Sequence, residues 1–267
     1  PDLESLTVLD ASGKGINDIS ALAGLTNLQK LYLTTNNISD ISALAGLTNL
    51  QELRLWHNDI SDISPLAGLT NLQKLYFEGN NISDLSPLAG LINLELLDLT
   101  GNTINDLSAL AGLTNLQILD LTGNHISDIS PLAGLINLQE IRLRNRDAYK
   151  PTNNISDLSP LAGLTNLQIL SFYANDISDI SPLAGLTNLQ ELNLWNNHIS
   201  DISILAGLTS LDGLYLAGNL ITEIAPLVEN VGLSDGDFVH LSGNPLNDPS
   251  VEDYIPQLEI RGVDVTF

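Results

Sequence analysis

The stretch Leu28-x-x-Leu31-x-Leu33-x-x-Asn36-x-Ile38-x-x-Ile41-x-x-Leu44-x-x-Leu47 decides the fold. Its first half alternates apolar and polar residues, the period of a strand with one buried face. Its second half is apolar at every third position, which suits a short 3₁₀ turn. Ser64-Pro65 and Ser86-Pro87, at the head of that turn, predict a Ser cap followed by Pro at the first helical position. The central leucine recurs at Leu9, Leu31, Leu53, Leu75, Leu97, Leu119 and Ile141, 22 residues apart each time. Leu170 follows after 29 residues, Leu192 and Leu214 restore the spacing, and Val239 comes after 25, making eleven coils. One coil cannot bury its leucines alone. Stacked coils can, with their strands side by side in one parallel sheet.

The motif Leu-x-x-Leu-x-Leu-x-x-Asn-x-Ile resembles the leucine-rich repeat family. Its 22-residue length, with Asp-Ile-Ser-Pro-Leu after the Asn, is similar to the bacterial internalin and phosphatase-regulator repeat types. The resemblance spans roughly residues 6 to 246. It implies an α/β solenoid: a curved, right-handed superhelix with its parallel sheet on the concave face and short 3₁₀ turns on the convex face. It also implies that the concave sheet is the surface that meets partners.

Asn36, Asn58, Asn80, Asn102, Asn124, Asn175, Asn197, Asn219 and Asn244 occupy the turn after each strand. They are expected to point inward and bond backbone groups of neighbouring coils. Lys14 replaces the Asn in the first coil, so that coil is expected to be partly open. Residues 1–246 are read as the solenoid, with an insertion at 144–153, and residues 247–267 as a C-terminal cap. Within the cap, a helical stretch from Asp248 to Arg261 is expected to be interrupted by Pro256. Gly262 ends it, and Val263, Val265 and Phe267 alternate as a last strand. The abrupt start at Pro1 and the absence of methionine are read as signs of a processed or excised chain.

Composition removes several function classes. The 267 residues carry 32 acidic and 9 basic side chains, a formal net charge of −23. Such a chain is repelled by phosphate backbones, so no nucleic-acid partner is expected, and anionic membrane surfaces are disfavoured. Absence of cysteine excludes disulfides, thiolate nucleophiles and zinc–thiolate sites. No apolar run reaches membrane-spanning length, so no membrane insertion is expected.

A search for chemistry yields little. The four histidines His57, His125, His198 and His240 form no metal-ligand spacing, and no Ser, Asp and His fall into a catalytic pattern. Asp98 and Asp120 project from adjacent coils, close enough to shift each other's pKa. A shallow sheet supplies no deep pocket for them, so no catalytic residue is assigned and the chain is read as no enzyme. Asp18, Asp40, Asp62, Asp84, Asp106, Asp128, Asp157, Asp179 and Asp201 form a second acidic row, whose mutual repulsion is expected to be offset in part by the carboxylates capping the turns. One carboxylate per coil is a thin set for calcium, so no metal and no cofactor is assigned.

Comparison of the coils with one another points to binding. The turn segment is nearly copied from coil to coil, whereas the three outward strand positions vary. Those positions hold 7 of the 12 aromatics, including both tryptophans, which drift on a solvated face would not produce. Phe77 and Phe172 replace core leucines. The candidate partner-binding residues are Tyr32, Arg54, Trp56, Tyr76, Asp98, Asp120, Arg142, Arg144, Tyr173, Trp195 and Tyr215. They fall into two aromatic clusters, at coils two to four and eight to ten, that the partner is expected to bridge. The insertion carries Arg144, Arg146, Lys150 and Tyr149 and is read either as a tolerated surface loop or as a contact loop. The leading reading is a protein-recognition module of a monomeric, extracellular or surface-attached bacterial protein. A glycan-binding module, or a passive spacer or engineered scaffold, is the alternative.

Overall fold

The computed structural model describes residues 5–145 and 153–267. The bulk of the insertion lies outside the described residues. The chain forms two compact units, Pro1–Leu138 and Gln139–Phe267. The first carries β1 (Val8–Asp10), β2 (Lys30–Tyr32), β3 (Glu52–Arg54), β4 (Lys74–Tyr76), β5 (Leu96–Asp98) and β6 (Ile118–Asp120). These strands pair parallel in chain order, with Leu9, Leu31, Leu53, Leu75, Leu97 and Leu119 in one register row. From Leu31 onward that row is fully buried. The second carries β7 (Glu140–Arg142), β8 (Ile169–Ser171), β9 (Glu191–Asn193), β10 (Gly213–Tyr215), β11 (Phe238–His240) and β12 (Asp264–Thr266). It too is all parallel and in chain order. Both units therefore show the coil-stacked α/β architecture that the periodicity predicts, and β12 is the strand expected in the cap.

Each coil turns back through a 3₁₀ segment such as Ser64–Leu66 or Ser86–Leu88. Of the two caps expected, the Ser and the carboxylate of the acidic row, the carboxylate is the one that forms. Ser64 is the first residue of the turn, and Ile63 before it makes no side-chain cap. The carboxylate two residues upstream does the capping: Asp62 Oδ1 accepts the Ser64 N–H at 2.8 Å. The same bond recurs at 2.8 Å from Ser20 to Asp18 through Ser203 to Asp201, once in each of nine coils. The acidic row is thus a capping ladder. The Ser N–H, then the Ser hydroxyl, holds the Asp62, Asp106 and Asp128 carboxyls below the ordinary carboxylate range. In the tenth coil the turn becomes helix α1 (Ala225–Glu229), and Glu223 Oε1 accepts the Ala225 N–H at 3.1 Å.

The asparagines behave as read. Asn102 Nδ2 donates to Phe77 O at 3.0 Å and Leu99 O at 3.0 Å, and its Oδ1 accepts the Ile82 N–H at 2.9 Å. One amide therefore satisfies groups of its own coil and of the coil before it. Lys14 is exposed, with its backbone N–H bonded to Asn36 Oδ1 at 3.0 Å. In the seventh coil the ladder position is filled by Asn153, fully buried and two residues before Ile155, as Asn36 stands before Ile38. Its N–H donates to Asn145 Oδ1 at 2.7 Å. A second, exposed amide ladder was not anticipated. Asn49, Asn71, Asn93, Asn115 and Asn137 each donate to the carbonyl 23 residues earlier, at 2.8–2.9 Å.

The cap helix is continuous, not interrupted at Pro256. A π-helical turn, Ser250–Tyr254, runs directly into α2 (Ile255–Ile260), and the Ile255 N–H bonds Ser250 O. The wider turn accommodates a proline that would otherwise clash with the carbonyl four residues back. Gly262, at φ 89°, ends the helix, and Val263 N bonds back to Leu258 O at 3.1 Å.

Candidate functional site

The candidate residues lie on the outward face of the strands, because they alternate with the buried leucines. In the first unit, β2 to β6 place Tyr32, Arg54, Tyr76, Asp98 and Asp120 in one register row. The Arg54 guanidinium lies 4.8 Å from the Tyr32 ring centre and 5.1 Å from that of Tyr76. Glu52 anchors it, accepting from Nε at 2.8 Å and lying 2.5 Å from Nη2. Glu52 is itself buried and has Lys30 Nζ at 3.7 Å. Trp56 meets Tyr76 edge-on at 5.4 Å, with its indole Nε1 buried and without a hydrogen-bond partner. The sequence reading took these aromatics as exposed. Tyr32, Trp56 and Tyr76 are half-buried, with Arg54 against the Tyr32 and Tyr76 rings and Trp56 against Tyr76.

Asp98 and Asp120 are register partners, each accepting the N–H two residues on, from Thr100 at 3.0 Å and Thr122 at 2.9 Å. Burial pushes the Asp98 carboxyl up, and Asp120 adds to the shift. The neighbouring charge is therefore the lesser cause, not the leading one. A raised folded pKa means that ionised Asp98 opposes folding. The penalty is absent below the unfolded value of about 3.9 and complete above the folded one. The ladder carboxylates have the opposite sign, stabilising above the unfolded value and losing that effect as pH falls through their lowered folded values. Asp98→Asn should therefore raise the melting temperature at pH 7, whereas Asp106→Asn lowers it. The Asp98 gain should vanish below about pH 4. Thermal unfolding of both variants across pH checks the two signs.

In the second unit the rings form a continuous belt. Tyr173 lies 5.3 Å from Trp195, Trp195 5.6 Å from His240, His240 6.0 Å from Phe238, and Phe238 5.4 Å from Tyr215. His240 and Phe238 were not among the residues chosen from sequence, although both stand at outward strand positions. Of the chosen aromatics only Trp195, 39% accessible, is largely open. Arg142 is ion-paired with Glu140 on its own strand. Arg144 is half-buried, its Nε without a hydrogen-bond partner. Arg146, Tyr149 and Lys150 lie outside the described residues.

A further feature was illegible in the sequence. Among the described residues, the residue before the ladder position is left-handed, and it is glycine at Gly79, Gly101, Gly123, Gly218 and Gly243, and at Gly13 before Lys14. At Thr35, His57, Ala174 and Asn196 it is not, with φ between 52° and 56°. Three of these four directly follow an outward aromatic, Trp56, Tyr173 or Trp195. A Cβ on Gly79 would lie 2.5 Å from His57 Nδ1, and one on Gly218 2.1 Å from Asn196 Oδ1. The His57 and Asn196 side chains thus lean over the glycine of the next coil and extend the surface beyond the strand end. Such strain is typical of binding sites. Thr35→Gly, which removes a β-branched residue from this conformation, should stabilise the fold by about 1 kcal/mol, read by denaturant unfolding.

Among the described residues, no three or more His, Cys, Asp or Glu side chains are grouped to hold a metal ion. No helix among them is long and apolar enough to cross a membrane. A surface of parallel strands bearing aromatic and charged side chains over a leucine core defines a repeat-built recognition scaffold. The chain belongs to the leucine-rich repeat family, whose two-copy repeat model matches residues 4–46, 48–90, 70–112, 92–134, 114–151 and 187–229. Its repeats are of the bacterial internalin type. It is similar to the crystal structure of an internalin, InlF, from Listeria monocytogenes, at 34% identity and a TM-score of 0.76, covering 98% of this chain and 87% of that one. Internalin C2 of the same organism is 40% identical over 74% of this chain and 83% of that one, with a TM-score of 0.68. A plant peptide hormone receptor, RGFR1, solved in complex with RGF2, shares the fold at 20% identity and a TM-score of 0.74, covering 91% of this chain and 48% of that one. Comparison with curated proteins gives no match.

Proposed function

We propose that this chain is a non-enzymatic protein-recognition module of a bacterial surface or secreted protein. It binds through the outward strand face of its repeats. The observation that carries the reading is the concentration of rings on that face, with Trp56 on Tyr76 and Trp195 between Tyr173 and His240. Pre-packed rings bury much area for little lost entropy, as binding anchors do. The likeness to two internalins supports the bacterial setting.

The test is to probe a protein array and a glycan array with the purified chain and with face and turn variants. Binding to protein spots that Tyr76→Arg or Tyr215→Arg removes, and that Asp62→Arg leaves, is expected. Binding confined to glycans would replace the reading with a carbohydrate-binding one. Binding that follows Asp62 would move the surface to the turns.

A further inference from the structure

The first unit's strand face is charge-polarised in a chain of net charge −23. Lys30, Arg54 and Lys74, three of the nine basic residues, stand on β2, β3 and β4. β5 and β6 carry Asp98 and Asp120 and no basic residue. Arg54, Tyr76, Asp98 and Asp120 follow one another in a single register row. The Tyr76 ring stands between cation and anions, and the guanidinium is held by Glu52 and two rings. Arg54 therefore does not pair with Asp98, and among the described residues no cation pairs with either aspartate. Glu52 takes Nε and approaches Nη2, so Arg54 keeps donors to offer outward, and its side chain is 38% accessible.

The row sets a length. Strands lie about 4.8 Å apart, so Arg54 and the Asp98–Asp120 pair are roughly 10–14 Å apart. An extended peptide rises about 3.3 Å per residue and repeats its face every second residue, so residues i and i+4 are separated by about 13 Å on one side. Spacing i, i+2 covers only about 7 Å.

We propose that this face binds an extended segment of a partner protein that carries one carboxylate and one basic side chain four residues apart. Arg54, with Lys30 and Lys74 on the two neighbouring strands, receives the carboxylate, and Asp98 and Asp120 receive the basic group. The inference rests on the strand face being the binding surface. It adds the partner's chemistry and spacing. Burial of Asp98 supports it, because an arriving cation relieves a carboxylate whose ionisation the fold opposes.

The experiment selects a random twelve-residue peptide library on the immobilised full chain at physiological salt. Acidic and basic residues at i and i+4 should be enriched about fivefold over the same pair at i and i+2. Selection on Asp98→Asn/Asp120→Asn should lose the basic preference and keep the acidic one. Arg54→Gln should do the reverse, and Lys74→Gln, which leaves the Glu52–Arg54 pair intact, should weaken the acidic preference. Basic residues enriched at every position and in every variant would mean only attraction to the net charge, and would overturn the inference. Peptides that depend on Trp56 but show no charge spacing would overturn it alone. Peptides indifferent to Trp56→Ala and to all the charge variants would overturn the strand-face reading as well.

Discussion

Replacing Asn124 by alanine is expected to lower stability by about 3 kcal/mol or more. Its amide is fully buried, donates to Leu99 O and Leu121 O at 3.0 Å each, and accepts the Ile104 N–H at 3.0 Å. Alanine leaves the Ile104 N–H inside the stack with no partner, which costs about 1–3 kcal/mol, and withdraws one buried hydrogen bond each from Leu121 O and from Leu99 O, which keeps Asn102 Nδ2, at about 1 kcal/mol apiece. Leucine would fill the space but not the bonds, so Asn124→Leu should be no better tolerated. Asn115→Ala provides the control. That amide belongs to the exposed ladder and donates once, to Ile92 O at 2.9 Å, where water substitutes for it. Its loss should cost under about 1 kcal/mol. Denaturant unfolding of the three variants reads the difference. Equal costs for Asn124 and Asn115 would show that the inner ladder does not hold the coils together.

Trp56→Ala and Trp195→Ala should each weaken binding of the physiological partner by about 2 kcal/mol or more, roughly thirtyfold. Trp56 is steadied by Tyr76, and Trp195 lies between Tyr173 and His240, so neither ring must be ordered at the moment of binding. Truncation on this face should disturb folding far less than Leu119→Ala, a fully buried leucine whose loss costs about 2–5 kcal/mol. Affinity and melting temperature measured on the same samples separate the two effects. Unchanged affinity in both tryptophan variants would remove the strand face as the binding surface.

The same measurements apply to the strained turn residues. His57→Gly should relax a left-handed backbone and stabilise the fold while it removes a side chain from the edge of the candidate surface. A rise in melting temperature with a loss of affinity is the expected pair of results.

Period by itself determined most of this protein. Alternation around Leu31 specified a strand with one buried face, and the 22-residue recurrence specified stacking. The Asn at a constant offset specified an inward amide, and variation confined to three positions marked the outward face. These follow from a residue's place within its coil and from comparing one coil with the next along the sequence. What depends on the neighbouring coil was decided only in the tertiary structure. Asn153 fills the ladder although it stands 12 residues after Ile141 rather than five, because stacking, not chain distance, brings it there. His240 and Phe238 join Trp195 and Tyr215 through ring contacts between coils, which no spacing within one repeat encodes. The raised pKa of Asp98 arises because packing removes its carboxylate from water, and a sequence carries no measure of that.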